Sequence, residues 1–79
     1  MAHVPMGDVQ ELWNDTPAHS WSALHKTLEQ HLGKAEGIDN ALVQYMLKWS
    51  QEEEHSHAKY PDNPQEFYDM VNKYVKSLP

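Results

Sequence analysis

The 79-residue chain contains no cysteine and no arginine. Without cysteine, neither a disulfide nor a thiolate-bound metal can brace the fold, so stability has to come from an apolar core. A domain this small buries only about 60% of the surface its unfolded chain exposes, which keeps its margin thin. Without arginine, the guanidinium fork that reads phosphate and guanine is missing. Six lysines against twelve carboxylates give a formal net charge of −6. That is the reverse of the basic patch that marks nucleic-acid binding, and direct DNA or RNA readout is not expected. An anionic membrane is disfavoured for the same reason, whereas a protein partner with a basic surface suits the charge. No apolar run is long enough to span a bilayer and no secretory leader is visible, so a soluble cytoplasmic protein is expected.

Glycine is also scarce, with three scattered residues that make no phosphate cradle. No serine lies in a Gly-x-Ser-x-Gly setting and there is no thiol nucleophile. No cofactor motif is present either. These absences point away from catalysis and towards a protein that acts by binding, without a cofactor.

Apolar residues recur at helical rather than strand spacing. Asp8 is placed to cap a short helix over Val9 to Asn14. Thr16-Pro17 reads as the start of a second helix, which runs to about Leu32 and stops at Gly33. Its stripe is Trp21, Leu24, Leu28 and Leu32, with His25 and His31 on opposite edges. After a Gly33–Gly37 connection, a third helix starts near Ile38 or Asp39. Ile38, Ala41, Leu42, Tyr45, Met46 and Trp49 share a broad face, and Val43 and Leu47 lie nearly opposite. Tyr60-Pro61-Asp62 reads as a loop. Asn63-Pro64-Gln65-Glu66 is a strong helix start, followed by the stripe Phe67, Met70, Val71, Tyr74 and Val75. The expected fold is all-α, a small bundle of three to four short helices forming one domain over residues 8–79. Residues 1–7 are expected to be a disordered N-terminus or a cloning remnant, because Met6 is an alternative start.

Metal-ligating residue types cluster once. Glu52 with His55, and Glu54 with His57, both have Glu-x-x-His spacing, which on a continued third helix sets each pair on one face. No second copy of that spacing exists in the chain, so a dimer would be needed to complete a carboxylate-bridged centre. A solvated helix end explains the same residues. The six histidines, if all protonated, would bring the net charge of −6 to zero, a coincidence that carries no assignment.

The expectation that follows is a non-enzymatic protein–protein interaction module: a small regulator, inhibitor or accessory subunit, with homodimerisation open. Its docking face is expected to be Val43 and Leu47 rimmed by Glu52, Glu53 and Glu54. The competing reading of Val43 and Leu47 is that both are core. An acidic decoy for a nucleic-acid-binding cleft is a narrower form of the same expectation. The alternative function is metal binding through Glu52, Glu54, His55 and His57. A helix-turn-helix DNA binder around Gly33–Gly37 is disfavoured by the charge.

Overall fold

A computed structural model describes residues 4–34 and 37–78, and among them the chain forms four helices and no strand. These are α1 (Met6–Asp15), α2 (Trp21–His31), α3 (Asn40–His55) and α4 (Pro64–Lys76). Residues 1–3 of the expected disordered leader and residues 35–36 of the expected Gly33–Gly37 connection lie outside the described residues. Residues 4–7 fall among the described ones. Val4 is 1% exposed and Met6 opens α1, and the Tyr68 hydroxyl donates to the Val4 carbonyl at 3.0 Å. The packed chain therefore begins ahead of residue 8.

Three of the four helices start on a side-chain cap. Ser20 accepts from the Ala23 N–H, Asp39 from the Ala41 N–H and Asn63 from the Glu66 N–H, each satisfying a donor that the first turn leaves orphaned. At α1, Pro5 holds the cap position with no side-chain bond. Asp8 lies inside the first turn rather than at the cap, where its charge still suits the helix dipole. Thr16 was expected to start α2, yet it closes α1. Its Oγ1 donates to the Leu12 carbonyl at 2.8 Å and its N–H to the Trp13 carbonyl at 3.3 Å. The chain then bends through residues 17–20 before Ser20 caps α2.

The α2 stripe is also shorter than its periodicity suggests. Trp21, Leu24 and Leu28 are buried, but Leu32 is 42% exposed. Leu32 has left helical geometry (ψ 130), so the regular turn no longer carries it to the core face. Gly33 follows at φ +82, a left-handed conformation suited to glycine.

At the end of α3, His57 takes a position usually given to glycine. Its φ is 59, the His57 N–H donates to the Glu54 carbonyl at 3.1 Å, and the Ala58 N–H reaches back to Glu53 at 3.0 Å. That pair of bonds is a Schellman closure. It stops α3 at His55.

Each helix touches two others, in the cyclic order α1–α2–α3–α4, with α2–α3 the broadest contact and α3–α4 the slightest. This ring explains the two apolar sides of α3, which has α2 on one side and α4 on the other. Val43 is fully buried within the core, and Leu47 is half-buried against it. Ile38, just before the cap, is buried as well, giving Ile38 and Val43 the two positions of a hydrophobic staple. Replacing Val43 by Asp is therefore expected to unfold the protein, since it would bury an unpaired charge. Two milder changes should move stability in opposite directions. Asn63→Ala loses about 1 kcal/mol with the α4 cap, whereas His57→Gly gains up to about 1 kcal/mol by relieving the left-handed residue. Urea denaturation of the three variants checks the signs.

Candidate functional site

Because α3 and α4 meet only slightly, a groove of about 350 Å3 opens between them. Trp49 and Glu53, one turn apart on α3, form one wall, while Met70, Lys73 and Tyr74 on α4, with Ser77 just beyond, form the other. Helical spacing of three and four residues lines up each set. Trp49 is buried, Met70, Tyr74 and Glu53 are half-buried, and Lys73 is exposed. The result is an apolar floor with an acid on one wall and a base on the other.

Tyr74 joins the two walls, its hydroxyl donating to Glu52 Oε2 at 3.5 Å. Burial first, then the Glu52 charge and this bond, raise its phenol above the ordinary range. Tyr74 thus stays a neutral donor through physiological pH.

The expected docking residues are redistributed by this geometry. Val43 is in the core and leaves the surface altogether. Leu47 is half-buried against that core. Of the acidic run, Glu53 lines the groove and Glu52 accepts from Tyr74, whereas Glu54 is exposed.

Among the described residues, Glu52, Glu54, His55 and His57 do not assemble a three-ligand metal group. The left-handed turn at His57 takes it off the helix, so the Glu54–His57 spacing no longer defines one face. A different set does meet. Ligand atoms of Glu11, Asp15 and His31 all lie within 4.8 Å of one another, with His31 Nε2 at 3.0 Å from Asp15 Oδ2. Glu11 and Asp15 are one turn apart on α1, a spacing visible in the sequence. That His31 joins them depends on how α1 packs on α2. Two carboxylates and an imidazole could hold a divalent cation with water completing the shell. Their Asp15–His31 bond also serves as an ordinary tie between helix ends. His25, on the other edge of α2, instead meets Gln51 at 3.4 Å.

Among the described residues, one buried side-chain polar group has no partner. The Tyr60 hydroxyl is enclosed with no hydrogen bond, and burial pushes the phenol up to about 12. Its ring stands among Trp21, Trp13, His19 and Phe67 at centroid distances of 4.8, 6.0, 6.0 and 6.4 Å.

Comparison with protein-family models, curated proteins and solved structures returns no match. None of the described helices is long and apolar enough to cross a membrane. Function has to be read from the surface itself.

Tyr60 supplies a test of the packing behind that surface. A phenol whose folded pKa lies above its ordinary value of about 10 adds stability that is complete below that pH. The contribution is lost as pH rises towards about 12. Tyr60→Phe is expected to abolish this part of the alkaline loss. It should leave neutral-pH stability equal or higher, because an unpaired buried hydroxyl costs about 1–3 kcal/mol. Denaturation curves at neutral and alkaline pH compare the two proteins, with the remaining tyrosines common to both.

Proposed function

We propose that the chain is a non-enzymatic interaction module that receives part of a partner protein in the α3–α4 groove, acting in the cytoplasm as a small regulator, inhibitor or accessory subunit. The observation that carries this reading is the gap itself. Met70 and Tyr74 stand half-exposed over Trp49, with Glu53 at the edge. Aromatic and methionine side chains inside a charged rim are the composition of protein interfaces.

A photo-crosslinking amino acid placed at Met70 in producing cells tests the groove, with Lys26 on α2 as control. A discrete crosslinked protein is expected from Met70 and not from Lys26. Identical products from both positions, or none from Met70, would rule the reading out.

Metal binding is the second reading, and it moves from residues 52–57 to Glu11, Asp15 and His31, the set whose ligand atoms converge. Zinc, manganese or nickel in hundredfold excess over its dissociation constant should then stabilise the protein by about 2.7 kcal/mol. Glu11→Gln, which keeps the Asp15–His31 bond, should respond less. Melting curves with and without each ion decide, and an unchanged wild-type curve removes the reading.

A further inference from the structure

We propose that the occupant of the α3–α4 groove is the same groove of a second copy, making the protein a two-fold homodimer. The inference rests on the groove being an interaction site and names its partner. A two-fold interface must be complementary to itself, since each residue that touches a second residue is touched by it in return. This groove meets that condition in one orientation. Glu53 stands on the α3 wall, and Lys73 on the α4 wall with Met70 and Tyr74. A two-fold axis along the groove lays the α3 wall of each copy over the α4 wall of the other. Glu53 then faces the partner copy's lysine, twice, and the apolar floors meet. An axis across the groove would instead set acid over acid and lysine over lysine, a like-charge arrangement that interfaces avoid. The charges therefore select one axis.

Both charges are available for this role. The ion pairs among the described residues are His31–Asp15 and Lys59–Asp62, so Glu53 and Lys73 do not neutralise each other across their own groove. Size sets the strength. A stable interface takes about 800 Å2 from each partner, a sixth of the 4860 Å2 of surface here. The six residues that line the groove are fewer than an interface of that class uses, so the contact is small and the dimer weak and concentration-dependent.

Analytical ultracentrifugation across micromolar concentrations is the test, on wild type, Glu53→Lys, Lys73→Glu and the double exchange. Wild type is expected to move from one chain mass to two. Each single reversal acts twice across the axis and should weaken association about tenfold. The double exchange restores opposite signs and should recover wild-type behaviour to within about threefold. Circular dichroism confirms that each variant keeps its helices, and Glu53→Gln or Lys73→Gln substitutes for one that does not. A wild type that stays monomeric overturns the dimer, as do single reversals that associate as well as wild type. If wild type is monomeric while Met70 crosslinks to a different protein, the dimer fails and the docking role survives. Absence of both fails the two together.

Discussion

Every helix commits an aromatic ring to one cluster, and the bundle is organised around it. Trp13 comes from α1, Trp21 from α2, Trp49 from α3 and Phe67 from α4, with Tyr60 from the α3–α4 loop among them. Trp21 meets both Trp49 and Tyr60 edge-on at centroid distances of 5.1 and 4.8 Å, the geometry in which ring edges and faces attract. Its indole also donates to the Ala58 carbonyl at 2.7 Å. One side chain thus fixes α2, the body of α3 and the loop that follows it. In a chain without disulfides, large rings of this kind gather much apolar area into few residues.

The groove is a consequence of the same arrangement. Tyr60 and Phe67 fill the space near the start of α4, where the loop returns from α3. Further along, α3 and α4 meet only slightly, and Met70 and Tyr74 are left half covered. Apolar side chains that the fold itself leaves half covered are a natural place for a second surface to add to the core.

Charge acts here by position more than by sum. The acidic run at residues 52–54 is divided by the helix into separate environments: Glu52 bonds Tyr74, Glu53 faces the groove and Glu54 faces solvent. Beyond it, the left-handed turn at His57 ends the helix and takes His57 off the face that Glu54 occupies. Meanwhile Glu11, Asp15 and His31, separated by up to twenty positions, converge where α1 and α2 close on each other.

Several features were decided by the sequence alone. Absent cysteine and arginine, a net charge of −6, helical periodicity and the Asn63-Pro64 start follow from local chemistry, because caps and stripes depend on neighbours three or four positions away. Local chemistry also offered competing answers, and only packing chose among them. Thr16 reads locally as the start of α2, yet it closes α1, and Ser20 caps α2 with Trp21 at its head. Val43 could face a partner or the core, and it went to the core because α3 has neighbours on both sides. The groove, the Glu11–Asp15–His31 set and the partnerless Tyr60 hydroxyl all join residues far apart in the chain. Periodicity can say which side of a helix is apolar. Which neighbour covers that side, and how completely, is settled only when the helices dock.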